Sequence, residues 1–397
     1  MSKITNLIKD LCPNGVRYYK LSEVGNQFSG LSGKSKKDFE DGNCKYITYT
    51  NIYNNPSTNL DVEDYVQVKE NEKQNEIKYK DILIAGSSEN LEDSGMISVV
   101  TEEPNEQIYL NSFCFGFRLN DIFYNKYNPD FLKHLFRDKN FRNEIISCSF
   151  GVTRYNLSKE KFLKIKIPCP PLKVQEEIVK ILDKFGELEA ELEAELEAIK
   201  SQYEFWRGKL FENNSKIIRL GELCSIKTGS KPKDILELGD YEYINAGTTN
   251  SGYTNIANAK GDCVTTPSRG QGGIGFVGFQ ENDFWCGPLC YQIRTLTDKL
   301  INKYLYYYML DHSDYILRLK HEGGVPAVNI KELQEMPICV PILEEQERVV
   351  NILDKFDKLI NDISEGLPAE IELRRKQYEY YRNKLLNFKE IWVWKKE

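Results

Sequence analysis

Two stretches of this sequence are nearly the same, and they dictate that the chain folds as a duplication. QEEIVKILDKF at 175–185 recurs as QERVVNILDKF at 346–356. Each follows a Pro-rich approach, IKIPCPPL at 165–172 and ICVPIL at 338–343. Each leads to an aromatic-basic ending, QYEFWRGKL at 202–210 and QYEYYRNKL at 377–385. The first blocks are 171 residues apart and the endings 175, so the second copy is four residues longer between them. Weaker matches come earlier in each copy. KLSEVGNQFSG at 20–30 parallels RLGELCSIKTG at 219–229, Tyr46-Ile47 parallels Tyr243-Ile244, and Phe131-Leu132 parallels Tyr304-Leu305. Gly151-Val152 with Asn156-Leu157 parallels Gly324-Val325 with Asn329-Ile330. Matches in the same order mean equivalent structural units. The expected organisation is a globular domain at 1–166, a helical segment at 167–213, a second domain at 214–336 and a second helical segment at 337–397.

The helical segments carry long apolar seams. The first runs Val174, Ile178, Ile181, Phe185, Leu188, Leu192, Leu196, Ile199, Tyr203, Trp206 and Leu210. Steps of four and three alternate, as in a coiled coil, with one extra step of four. That stutter lies in three tandem copies of ELEA at 187–198, and removing one copy would restore the heptad. The second seam is Val349, Ile352, Phe356, Leu359, Ile363, Leu367, Ile371, Tyr378, Tyr381 and Leu385, with a break expected at Gly366 and Pro368. Two such helices in one chain pair most simply with each other, antiparallel, as a rod of roughly 50 Å with a domain at either end. The plainer alternative is two amphipathic helices, each packed on its own domain.

The whole chain has 53 Lys and Arg against 60 Asp and Glu, a net charge of −7. Taken whole, that argues against a phosphate-binding protein. Taken by segment, residues 167–213 hold 6 basic and 11 acidic residues, while the globular domains are near neutral. The Glu-rich helix reads as a solvated face built from good helix formers; the alternative is a face that keeps the rod off DNA or meets a basic partner. No apolar run reaches the roughly 18 residues of a membrane helix. The start lacks the features of a signal peptide, so the ten Cys are expected as reduced thiols.

Both globular domains read as α/β mixtures. Strands are expected at Asp81–Ala85 and Cys114–Arg118, matched by Tyr241–Asn245 and Leu289–Arg294. A helix is expected at Pro129–Ile146, matched by Ile301–Lys320. Between them lie polar loops. Lys34, Ser35, Lys36 and Lys37 stand in GLSGKSKK, and Lys231 and Lys233 in GSKPK. Asn51 stands in YTNIYNN, Asn245 and Thr248 in NAGTTNSGY, and Ser268, Arg269 and Gln271 in PSRGQGGIG. Such residues suit DNA: lysines for phosphates, Arg and amides for base edges. Taken singly, each loop is also what an ordinary hydrophilic loop looks like.

Catalytic patterns are missing. The three His and ten Cys form no HExxH or CxxC spacing, so no metal site is expected. Gly33-Lys34-Ser35 imitates the end of a phosphate loop, but Phe28 stands where that motif needs Gly. The glycines at 270–275 lack a βα context, and no G-x-S-x-G elbow occurs. Asn128-Pro129-Asp130-Phe131 departs at its third position from an amino-methyltransferase motif. Glu76 and Lys78 imitate part of a nuclease motif, but no suitable upstream Asp pair accompanies them.

Two target-sized domains, each followed by a coiled-coil helix opened by P-x-L-x-x-Q (P-P-L in the first copy, P-I-L in the second) and closed by an aromatic-basic run, resemble the specificity subunit of type I restriction–modification systems. The resemblance is carried by Pro170-Pro171-Leu172 with Gln175, Pro341 with Gln346, Ile181–Phe185 and Ile352–Phe356. It extends to Glu365–Ile371, Arg374–Arg382, Gly151–Leu157 and Thr228-Gly229, and so covers the whole chain. It implies an α+β protein: two α/β target recognition domains related by internal duplication, joined by two long helices pairing as an antiparallel coiled coil. Each domain would read half of an asymmetric bipartite site in double-stranded DNA, and the helices would set the spacer. Ile178, Ile181, Phe185, Leu188, Leu192, Leu196, Tyr203, Trp206, Val349, Ile352, Phe356, Tyr378 and Tyr381 would serve the coiled coil and its partners. Those partners would be two methyltransferase subunits, which bring S-adenosylmethionine and methylate adenine, and two restriction subunits, which use ATP and Mg. This chain would bind neither cofactor and no metal, would catalyse nothing, and would work in a prokaryotic cytoplasm. Arg154 is a further DNA candidate, but Ala327 stands opposite it in the second copy. The competing readings are a stand-alone methyltransferase or nuclease, for which neither half has spare length, and a coiled-coil adaptor that binds no DNA.

Overall fold

A computed structural model describes residues 2–212, 215–321, 324–362 and 364–391. The chain divides into two compact units, residues 1–191 with 372–397 (unit 1) and residues 192–371 (unit 2).

Unit 1 is built on an antiparallel sheet in the order Gly25–Ser29, Cys114–Leu119, Ile82–Ala85, Ile97–Val99. The central strand Ile82–Ala85 is buried at every position, so it reads as a continuous apolar run rather than an alternation. A small second sheet sets Cys44–Ile47 between Tyr65–Val66 and a parallel strand, Ile108–Leu110. A third ladder pairs Tyr18–Lys20 with Lys166–Pro168.

Unit 2 repeats this plan. Its main sheet runs Cys224–Thr228, Cys290–Thr295, Cys263–Pro267, Gly278–Gln280. Its small sheet sets Tyr241–Ile244 between Tyr253–Thr254 and the parallel Trp285–Cys286. Lys216–Arg219 pairs with Pro337–Val340. The duplication therefore holds down to strand order and direction. One match differs from the sequence expectation. The counterpart of Ile82–Ala85 is Cys263–Pro267, whereas Tyr241–Ile244 occupies the place of Cys44–Ile47. The polar sequence VTTP hid a strand that is buried throughout.

The expected domain helices are each broken in two. Pro129–Arg137 stops where Asp138 caps Lys139–Ser147 through the amides of Asn140 and Phe141. Asn302–Asp311 stops at His312, which begins Ser313–Arg318.

The first long helix, Leu172–Phe211, continues without interruption through the ELEA repeats. The second segment forms Leu343–Asn361 and Leu367–Leu386, parted at the expected break. Gly366 is required there, because a Cβ would lie 2.5 Å from the carbonyl oxygen of Asp362. Ile363, expected in the seam, lies outside the described residues.

Each unit takes the start of one long helix and the end of the other. The core of unit 1 includes Val174, Ile178 and Leu182 together with Leu385, Leu386 and Phe388. That of unit 2 includes Val349 and Leu353 together with Leu210 and Phe211. In unit 1 Phe185 stacks on Tyr381 and meets Tyr378, while Glu189 pairs with Arg375 at 2.6 Å, so the two helices run antiparallel. In unit 2 Phe356 meets Tyr203 in the matching contact. Ile181 and Ile352 pack against the two cores, and Leu188, Leu192 and Leu196 are half-buried. Trp206 departs from the expected seam. It is 47% exposed and rests on Phe205, while Arg207 turns inward over the Tyr203 ring.

The repeated Gln of each helix start is a buried clamp. Gln175 Oε1 accepts the Asn128 amide at 2.8 Å, and its Nε2 donates to the carbonyls of Pro170 and Lys126. Gln346 does the same with Ile301, Pro341 and Lys299. In both units it fixes the start of the domain helix to the start of the long helix.

Candidate nucleic-acid interface

In unit 1 several loops converge on a cleft of about 400 Å³. Its walls come from the helix Tyr49–Asn54, the loop after Ile82–Ala85, the turn before Cys114–Leu119 and the hairpin that carries Arg154. Tyr49 and Tyr53 stack along one side at 6.2 Å. Tyr53 Oη donates to Asp93 Oδ1 at 3.2 Å, and Asn90 Nδ2 donates to the other oxygen of Asp93. Arg154 donates to Ser87 Oγ at 3.0 and 3.2 Å and lies over the Phe113 ring at 5.7 Å. Phe113, Phe150 and Val152 are 65%, 58% and 87% exposed. The hairpin tip needs glycine: Gly151 has φ +126°, and a Cβ there would strike the Arg154 carbonyl. The cleft thus offers amide, hydroxyl and guanidinium donors, two carboxylates and aromatic faces, the groups that read base edges and grip a backbone.

The other unit 1 candidates are placed differently. Lys34, expected at a phosphate, is instead 5% exposed and held by the Gln67 carbonyl and Glu72 Oε2. That contact, with help from Gln74, holds the Glu72 carboxyl down at about 2. Ser35 is a cap, both its amide and its hydroxyl donating to Asp38 Oδ2 at 2.7 Å. Lys36 and Lys37 are exposed. Asn51, expected at a base edge, is 8% exposed and its amide braces the backbone of Asn59. Both corrections share one cause. A polar side chain in a loop is used first to satisfy that loop's own backbone and charges.

In unit 2 the corresponding loops also meet. Gly287 links three of them, since its carbonyl accepts from Gly229 and its amide donates to Ile244. Lys231 and Lys233 are exposed on the loop after Gly229, and Thr248 on the loop after Ile244. Asn245 is partly committed, Oδ1 accepting the Leu289 amide at 3.0 Å. Ser268 is buried and its backbone joins Leu289 to Val328. Beyond it, Arg269 and Gln271 are exposed. Arg269 bridges Ala327, and the Gly270 amide donates to Pro326. The hairpin without Arg154's counterpart is therefore seated against the loop that carries Arg269.

Sequence reasoning missed Ser87, Ser88, Asn90, Asp93 and Phe113. The strand pairing of Ser87-Ser88 with Tyr155-Asn156, whose partners stand 69 and 67 residues apart, brings Ser87 to Arg154. Among the described residues no cluster of three His, Cys, Asp or Glu could hold a metal, and no helix is long and apolar enough to cross a membrane.

Comparison with known proteins gives this architecture its place. The family model of the type I restriction modification DNA specificity domain matches twice, at residues 13–198 and 212–373. A putative type I restriction enzyme specificity subunit of Haemophilus influenzae is 34% identical over 289 residues, 66% of this chain and 73% of that protein. The EcoR124I/EcoR124II specificity subunit of Escherichia coli is 34% identical over 258 residues, 57% of this chain and 63% of that one. In fold, the chain is similar to the S subunit from M. genitalium, with TM-score 0.57 and 16% identity over 94% of this chain and 96% of that one. It is also similar to a chain from a structure of type I restriction–modification complex assembly, with TM-score 0.64 and 17% identity over 94% and 98%. The chain belongs to the type I restriction–modification specificity family, whose members are the DNA sequence-specificity subunits of these systems.

Proposed function

We propose that each unit reads one half of an asymmetric, bipartite DNA site, with the two long helices fixing the spacer. One observation carries this reading. The same scaffold is built twice, with the same Gln clamp and the matching Phe185–Tyr378 and Phe356–Tyr203 contacts on its helices, while the reading surfaces carry different groups. Arg154, Tyr49 and Phe113 stand in one; Arg269, Gln271 and Thr248 stand at the other. Equal scaffolds with unequal reading surfaces suit two unlike half-sites. The near-neutral domains read bases, and partner subunits supply much of the phosphate contact.

In this reading the chain performs no catalysis. It docks two methyltransferase subunits, which bring S-adenosylmethionine, and two restriction subunits, which bring ATP and Mg. The helix faces bearing Phe205, Trp206 and Tyr380, each exposed, support partner docking. Incubating the purified chain with labelled S-adenosylmethionine and DNA, with and without its methyltransferase partner, tests the division of labour. Methyl transfer is expected only with the partner. Transfer by the chain alone would overturn it.

A further inference from the structure

Arg207 and Arg382 hold the same place in the two copies of the helix ending, but their surroundings differ. In unit 2 Arg207 Nε donates to Asp311 Oδ1 at 3.1 Å. In unit 1 Arg382 lies over the Tyr378 ring much as Arg207 lies over Tyr203, yet its Nε is buried with no hydrogen-bond partner among the described residues. Asp138 stands where Asp311 stands, but its Oδ1 caps the next helix and its Oδ2 is itself unpartnered. The ion pair of one copy is missing from the other.

Arg382 borders a cleft of about 570 Å³ in unit 1, which Lys133, Arg137 and Arg142 also line. Lys133 is answered by Asp130 and Asp183 at 3.0 and 3.1 Å. Arg137 donates to the carbonyls of Ile97, Ile52 and Tyr53, and Arg142 to those of Gly95, Glu92 and Ser94. Carbonyls satisfy these donors; Asp93 acts on Arg142 only through its field, and Asp183 is the one carboxylate among the residues lining the cleft. Burial, reinforced by Arg142 and Arg382, brings Arg137 down to about 10. In unit 2 the same wall carries Tyr306, Leu310 and Tyr315, with no cation among them. The positive cleft is thus a feature of unit 1 and not an inheritance of the repeat. A guanidinium whose buried Nε has no partner, among three further cations and a single carboxylate, is costly unless an anion completes it.

We propose that this cleft binds a small phosphorylated anion, its phosphate seated against Arg382 and its remainder against Met96, Leu182 and Tyr378. Guanidinium forks match phosphate oxygens two at a time. The volume lies in the range of ligand pockets, roughly 300–1,000 Å³, and exceeds what a lone oxyanion needs. Arg137 and Arg142 grip the backbone at 52–53 and 92–95, the segments that border the reading cleft, so the anion sits behind the reading loops.

Titration calorimetry of the full chain with pyrophosphate tests the site. Saturable binding is expected, weakened at least about tenfold by Arg382→Gln and unchanged by Arg207→Gln. If Arg382→Gln fails to fold, Arg382→Lys is read in its place, with a loss again expected because an ammonium cannot make the two-point contact. Absence of saturable binding, or equal loss in the Arg207 and Arg382 variants, overturns the proposal. So does a result in which pyrophosphate fails to bind while Arg382→Gln flattens the salt dependence of duplex binding, because the anion would then be the DNA backbone.

Discussion

Asp183 accepts a hydrogen bond from His134 Nε2 at 2.8 Å, and in the second copy Asp354 takes the same position against the hydroxyl of Tyr307. The repeat keeps the carboxylate and changes the donor, so the two units respond differently to acid. Burial holds His134 below the usual imidazole range, with Lys133 adding to the effect and Asp183 opposing it. Asp183 is held below the usual carboxylate range: burial would raise it, but the His134 hydrogen bond and the Lys133 charge outweigh that. Each depressed group contributes stability above its unfolded pKa and loses it as pH falls. Unit 1 is therefore expected to weaken as pH drops below about 6.5, the unfolded His value, and again in the carboxylate range. Hydrogen exchange at pH 7.5 and 5.5 checks this. Loss of protection at 129–137 should outpace that at 302–311, and His134→Gln should abolish the difference. An equal loss in both helices would refute the assignment.

Gln175→Leu should strand the Asn128 amide and two carbonyls in a buried position. Each such group costs about 1–3 kcal/mol, not additively, so a loss of roughly 3 kcal/mol in unit 1 is expected. Gln346→Leu should do the same in unit 2. Local hydrogen exchange separates the two: protection falls around 126–131 in the first variant and around 299–305 in the second.

Loop lysines are expected to divide into two kinds. Lys36→Ala and Lys37→Ala should weaken binding to all sequences alike, each lowering the salt slope by about 1 if it contacts a phosphate. Lys34→Ala should leave the salt slope unchanged and loosen the loop at 67–74, because its charge is spent on Glu72. Salt titration of DNA binding by the methyltransferase complex distinguishes them.

The proposed ruler role predicts the effect of deleting one ELEA unit. Four helical residues are roughly 6 Å and about 40° of rotation. At ~3.4 Å per base pair, the spacer should shorten by one or two base pairs with both half-sites unchanged. Altered half-sites with an unaltered spacer would contradict it.

What was legible in the sequence followed from local chemistry. The Phe185 and Tyr378 blocks announce a seam because helical spacing is a short-range pattern, and Gly366 and Pro368 announce their own break. Even the Gln175 motif was visible, although its function as a clamp on Asn128 was not. The fate of Lys34 was hidden because Glu72 lies far along the chain and meets it only once the loops are folded. Trp206 and Arg207 could not be ranked from the sequence, since an inward Arg needs Asp311 to receive it. The cleft around Arg154 was hidden for the same reason: Ser87 and Phe113 reach it through sheet pairing, which no local pattern encodes. The overall charge is the least informative signal, because one helix carries most of the acidity while the domains are near neutral.

The central claim is that two unlike units read two unlike half-sites. The most direct measurement is methylation mapping of DNA modified by the complex carrying Arg154→Ala. That change removes the contacts with Ser87 and Phe113 in unit 1 alone and should cost about 1–3 kcal/mol of discrimination at one position. The account predicts a bipartite site relaxed in one half, with the other half and the spacer intact. Relaxation in both halves, or a methylated site that is not bipartite, would contradict it.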